Sequence, residues 1–198
     1  MPFSTADELR MGNLVAAAGL GMTDRLQELG SEVAGVDATA ATALVALVDF
    51  SPHGSLRQLS QILGLTHSGT VRLVDRLAAG GLVTREAGQD ERSRTLTLSE
   101  RGRAAALAIR AGRHRATAGL LDGLSDRQRT QLTQACEVMV ANLTRQRLQQ
   151  RAAGVPPVGG ALCRLCDFSA CGRSGGNCPA AATTLVVDAS SPAAESED

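Results

Sequence analysis

The 198-residue sequence has no lysine, no tryptophan and no tyrosine, and three phenylalanines are its only aromatics. Any core must therefore be aliphatic. No apolar run approaches the roughly 20 residues needed to cross a bilayer. The opening MPFSTADELRMGN lacks the basic start and unbroken apolar stretch of a signal peptide. These absences lead to the expectation of a cytoplasmic chain, in which five cysteines are better read as thiols or metal ligands than as structural disulfides. There is no phosphate-binding loop, no nucleophile elbow and no pair of carboxylates in an apolar setting, which argues against an enzyme. His53, His67 and His114 are scattered, with no H-E-x-x-H or other paired spacing.

Hydrophobic residues supply 43% of the chain, enough for one ordinary domain with appendages. The net charge is zero, yet the charge is uneven. Residues 51–115 hold 11 Arg against 5 Asp or Glu, a surplus of +6, and the rest holds 9 Arg against 15 acids, or −6. A basic middle in a neutral chain points to a local polyanion site. Arginine suits that role, because its planar fork matches phosphates and guanine edges.

Helix starts are legible from end to end. Ser4 with Asp7 reads as a helix start, and Leu9–Leu29 is mostly helix-compatible, weakened by Gly12, Gly19 and Gly21. Asp37 caps Ala38–Phe50, and Ser51-Pro52-His53-Gly54 is a turn. Ser55 and Gln58 make a capping box for Leu56–Leu63. Gly64-Leu65 then links this short helix to a second one capped by Thr66. Two short helices with a tight glycine link form a helix-turn-helix. On the second helix Thr70, Leu73, Val74, Leu77 and Ala78 share one face, while Ser68, Gly69, Arg72, Asp75 and Arg76 share the other. One face can pack on a core while the other offers donors to a major groove.

Gly80-Gly81 ends that helix, and two β-like runs follow, Leu82–Arg85 and Thr95–Leu98. The turn between them, EAGQDERSR, is polar and carries Arg92 and Arg94. A hairpin in this place is a wing whose arginines can enter the minor groove. Ser99 then caps a helix from Glu100 to about Gly119, and a Ser125–Gln128 box opens a last long helix to about Arg151. Its apolar stripe is Leu132, Ala135, Cys136, Met139, Val140 and Leu143, in which Cys136 reads as a small buried hydrophobe. These long helices, with the first one, read as a dimerisation bundle. Symmetric pairing would set two recognition helices about one DNA turn apart. The fold class is mainly α (α+β): a winged helix-turn-helix with a helical dimerisation bundle and a small Cys-rich tail.

This order of elements, with the strings THSGTVRLVDRLAAGGLVTR and DERSRTLTLSERG, resembles the MarR (multiple-antibiotic-resistance regulator) family over about residues 5–150. The matching pieces are Arg72-Leu73-Val74-Asp75-Arg76-Leu77, Gly81-Leu82-Val83-Thr84-Arg85, Asp90 with Arg92, and Leu98-Ser99-Glu100-Arg101-Gly102. Ser99 stands where the family commonly has Thr, and Gly69 departs from it at a cost of about 1 kcal/mol against Ala. The resemblance implies a homodimeric, sequence-specific transcription regulator on a palindromic operator of double-stranded DNA. Such a regulator is often a repressor, released by a small-molecule effector or by oxidation. The contacts expected are Ser68, Thr70, Arg72 and Arg76 in the major groove, although Thr70 leans toward the core. His67 would meet a phosphate or a base, Thr66 or Ser55 the phosphates, and Arg92 and Arg94 the minor groove.

Beyond the GVPPVGG linker, Cys163, Cys166, Cys171 and Cys178 follow C-x2-C-x4-C-x6-C. Four thiols within 16 residues, with Gly172, Gly175 and Gly176 for tight turns, can surround one tetrahedral ion. Zinc is the first choice, an iron–sulfur cluster the second, because proline follows Cys178, and reversible disulfides the third. The spacing does not decide among them. As an alternative function, this cluster would be the input of a metal or redox sensor whose output is DNA binding. The expected divisions are 1–36 for the N-terminal dimerisation helix, 37–102 for the winged helix-turn-helix and 103–153 for the C-terminal dimerisation helices. Residues 154–181 are linker and Cys-rich segment, and 182–198 a disordered tail.

Overall fold

The computed structural model describes residues 4–87, 94–155 and 159–190. In chain order the elements are α1 (Thr5–Ala34), α2 (Ala38–Asp49), α3 (Leu56–Leu63), α4 (His67–Ala79), β1 (Val83–Ala87), β2 (Arg94–Leu98), α5 (Glu100–Leu120), α6 (Asp126–Ala152) and α7 (Pro179–Ser190). A 3-10 turn, Arg173–Gly175, precedes α7.

The caps read from the sequence hold the helix starts. Ser4, Ser55 and Ser125 each close a reciprocal box with the third helical residue, Asp7, Gln58 and Gln128. Asp37, Thr66 and Ser99 each accept from a first-turn amide of α2, α4 and α5. α1 is longer than the Leu9–Leu29 stretch and ends at Gly35, which takes the left-handed conformation and donates to the Ser31 carbonyl at 3.1 Å.

α2 is apolar almost all round and sits at the centre, against α1, α3, α5 and β2. Leu44 and Val45 from it, Leu59 from α3, Val74 from α4 and Leu96 from β2 are closed from solvent. Burial of each contributes about 1.5–3 kcal/mol. β1 and β2 pair antiparallel with Val83 opposite Leu98 and Ala87 opposite Arg94. The Leu96 amide donates to the Gly54 carbonyl at 2.9 Å, which ties the wing to the turn before α3. The start of α5 presses on the chain entering β1, where a Cβ on Gly102 would lie 1.8 Å from the Leu82 carbonyl oxygen. Only glycine fits there, and the Ser99 hydroxyl fastens the junction by donating to the Gly81 carbonyl at 2.7 Å.

Two expectations are corrected. Cys136 is exposed rather than buried, because among the described residues no other element covers residues 126–139 of α6. The segment 182–190, expected within a disordered tail, completes α7. Pro179 starts that helix at a position where its missing N–H costs nothing, and the helix lies along α6. The acidic end past residue 190 lies outside the described residues. Among the described residues no single helix is long and apolar enough to cross a membrane.

Candidate nucleic-acid interface and thiol cluster

α3 and α4 meet at Gly64, which is left-handed with φ of 68° and donates to the Ser60 carbonyl. Leu73, Val74 and Leu77 anchor α4 in the core, so its opposite face looks outward. At its start the Thr66 hydroxyl accepts from the Gly69 amide at 3.1 Å and lies 3.4 Å from the Ser68 hydroxyl. A Cβ on Gly69 would sit 3.1 Å from that same hydroxyl, so the small residue relieves crowding at the cap. His67, Ser68 and Arg72 are exposed, and neither His67 nor Arg72 makes a hydrogen bond or ion pair with a described residue.

The other expected contacts divide. Thr70 is fully buried and its hydroxyl donates to the Thr66 carbonyl at 3.0 Å. It is therefore a core residue and not a groove contact. It lies on the apolar face with Leu73, Val74 and Leu77, and only its hydroxyl suggested a groove donor. Arg76 is exposed but pairs with Asp37, the α2 cap, at 3.1 Å. Asp75 likewise pairs with Arg85 of β1 at 2.6 Å. Ser55 is half-buried, with its hydroxyl accepting from the Gln58 amide at 3.2 Å. Arg94 occupies the first position of β2. Arg92 and the wing tip at 88–93 lie outside the described residues.

The four tail cysteines share one small cluster with Phe50, Val140, Phe168 and Ala180. The ionisation of these thiols is linked in the pairs Cys163 with Cys166 and Cys171 with Cys178, where the thiol of one favours the thiolate of the other. The bond from Cys163 pulls the Cys166 thiol down to about 6 against a burial penalty, with help from the guanidiniums of Arg113 and Arg173. The same bond and burial push Cys163 well above the usual thiol range. Burial also raises Cys171. For Cys178 burial opposes ionisation, but the Ala181 amide, the Cys171 thiol and the Ala180 amide outweigh it and lower the thiol. Those amides belong to the open N-terminus of α7, a setting that favours thiolate. As the side chains stand, no group of three or more His, Cys, Asp or Glu among the described residues is spaced to hold a metal ion.

This segment is seated on the rest of the chain by contacts that the sequence does not announce. Arg110 of α5 bridges Asp49, at 3.0 Å, and Asp167. The Phe168 amide donates to Asp49 at 3.2 Å. Phe50 and Phe168 pack with ring centres 5.4 Å apart, and the Arg173 guanidinium lies 4.6 Å over the Phe168 ring. Arg113 donates to the Leu165 carbonyl and Arg147 to the Gly160 carbonyl. Only the scarcity of aromatics in the sequence could have singled out Phe50 and Phe168 beforehand.

Residues 34–93 match the model of the MarR family. Similar solved structures include a MarR family protein from Bacillus stearothermophilus, 22% identical, with a TM-score of 0.61 over 72% of this chain and 99% of that one. RV1404 from Mycobacterium tuberculosis is 23% identical, with a TM-score of 0.55 over 78% of this chain and 98% of that one. A mutant of S. aureus MepR bound to an oligodeoxyribonucleotide is 17% identical, with a TM-score of 0.52 over 67% of this chain and 97% of that one. No curated protein matches the chain. The mainly helical MarR fold with its two-stranded wing is thus shared nearly whole with these structures, which leave about a fifth to a third of this chain without a counterpart.

Proposed function

We propose that the protein is a homodimeric, sequence-specific DNA-binding transcription regulator, acting as a repressor on a palindromic operator. The observation that carries the reading is the outward face of α4. There His67, Ser68 and Arg72 stand exposed at the start of a helix whose other face is locked in the core. An arginine with no ion-pair partner among the described residues breaks no pair there when it turns to a guanine edge or a phosphate. Arg76 is in second place, since it must first leave Asp37. The wing arginines Arg92 and Arg94 are assigned to the minor groove, and Thr66 and Ser55 to phosphates at the two helix starts. The DNA-bound MepR mutant is a similar fold engaged with an oligodeoxyribonucleotide, which supports the reading.

A second copy of this chain fits the uncovered helices. Leu9, Leu14 and Leu20 of α1 and Val138, Met139 and Leu143 of α6 are exposed apolar residues without cover in the single chain. Pairing across a two-fold axis would bury them and fix two α4 helices on one side of a duplex. A small-molecule effector has room in a cavity of about 420 Å³ lined by Phe50, Arg147, Arg151, Arg173 and Leu185, whose arginines suit an anionic ligand.

Selection from a pool of random duplexes tests the function. The expected product is an inverted repeat with half-sites about one helical turn apart, bound by a dimer in sedimentation analysis. Failure to enrich any sequence, with the protein sedimenting as a single chain, would remove the reading.

A further inference from the structure

The segment from 159 onward has almost no apolar core. Among its described residues the buried side chains are Cys163, Cys178 and Ala180. Something other than hydrophobic burial must hold it together. Its four cysteines share one small cluster, and the guanidiniums of Arg113 and Arg173 act on it.

The same segment touches the helix-turn-helix at its turn. The Ala161 amide donates to the Ile62 carbonyl at 2.8 Å, the last turn of α3. Gly160 approaches so closely that a Cβ on it would lie 2.3 Å from the Ile62 carbonyl oxygen and 2.7 Å from the Gly64 amide nitrogen. A Cβ on Gly64 would in turn lie 2.5 Å from the Gly160 amide nitrogen. Two glycines thus meet back to back where α3 gives way to α4. Three residues on from Gly160 comes the first thiol, Cys163.

We propose that Cys163, Cys166, Cys171 and Cys178 form a tetrahedral site for one thiophilic divalent ion of the zinc class, and that the loaded segment braces the α3–α4 turn through Gly160 and Ala161. Four thiolates make a closed, structural site with no open position. On loading, each thiol releases its proton to solvent, and the site carries a net charge of −2 that Arg113 and Arg173 offset. The two thiol pairs must close on a common centre, and binding supplies the free energy for that ordering. The Arg110 bridge between Asp49 and Asp167 and the Phe50–Phe168 contact seat the segment on the core. Loading therefore reaches the turn through a short, fixed path. The consequence for DNA rests on the reading of α4 as the DNA helix; ion uptake and protection of the turn do not.

The test uses the full chain purified without oxygen, stripped by a chelator and titrated with Zn2+ or Co2+. The expected result is one ion per chain, with a Co2+ spectrum showing thiolate charge transfer and tetrahedral geometry. Cys163→Ser and Cys178→Ser should each abolish it. Amide exchange at residues 60–66 should slow several-fold on Zn2+ binding. Ala161→Pro, which removes the donor to Ile62, should keep the ion and lose that protection. Gly160→Ala serves as a second variant of the same contact. No retained ion, an iron–sulfur chromophore, or native disulfides Cys163–Cys166 and Cys171–Cys178 in a peptide map would overturn the site. An ion bound without change at 60–66 would overturn the brace. If loading protects the turn but no duplex is bound in either state, the inference stands and the DNA reading fails.

Discussion

In the winged helix Leu44, Val45, Leu59, Val74 and Leu96 are each 1% exposed or less, and they come from four different elements. Among the described residues from 159 onward the buried side chains are two cysteines and an alanine. The first region draws its order from aliphatic packing across non-local elements. The second draws it from polar tethers to its neighbour and from thiol chemistry. The two should respond to different insults, and the same molecule can report both.

Removing an aliphatic side chain from the winged helix is expected to have the largest effect. Leu59→Ala should cost about 2–5 kcal/mol in urea unfolding, as a lower midpoint with an unchanged slope. Arg110→Ala attacks the other region. It leaves Asp49 and Asp167, both mostly shielded, facing each other without their cation. Loss of one partner from a buried pair costs about 3–5 kcal/mol, and partial exposure brings this to about 2 kcal/mol. The loss should appear as faster amide exchange over 161–180, with the exchange of α2 amides little changed.

Acid should separate the regions in the same direction. The Asp167 carboxyl is held well below the usual range, first by the Ser169 hydroxyl and, against a burial penalty, by Arg110 and the Ala170 amide. A depressed carboxylate contributes stability above its unfolded value, about 3.9, and loses it as pH falls toward the folded value. Exchange of the 161–180 amides should therefore rise below about pH 4, before the winged helix unfolds. The smallest effect is expected from Ser125→Ala, which removes the α6 cap in neither region. It should cost about 1 kcal/mol by thermal unfolding and leave ion uptake unchanged.

The two regions also differ in how far the sequence reveals them. Helix starts at Ser4, Asp37, Ser55, Thr66, Ser99 and Ser125 are readable because a cap is a local bond, three residues long. The strands are readable as far as Val83–Arg85 and Thr95–Leu98, since alternation is local too. Thr70 is harder, because a hydroxyl on an apolar face can serve either a groove or, as here, the carbonyl one turn back. Arg76 shows the same limit, as its partner Asp37 caps a different helix. Cys136 was placed in a stripe whose cover the single chain does not provide. The run Leu185-Val186-Val187 lies within α7, with Leu185 and Val186 exposed. The seat of the thiol segment is the least legible, since the Asp49–Phe168 bond spans 119 residues and leaves no periodic trace.

The exposed start of α4 remains the centre of the account, and Arg72 is its most direct probe. Affinity for the selected duplex, measured across a salt series for the native chain and for Arg72→Ala, tests it. The account predicts a steep decline of affinity with salt, a loss of about 1–3 kcal/mol in the variant and relaxed preference at one base pair, with thermal stability unchanged. Equal affinity and equal sequence preference in the two proteins would contradict it.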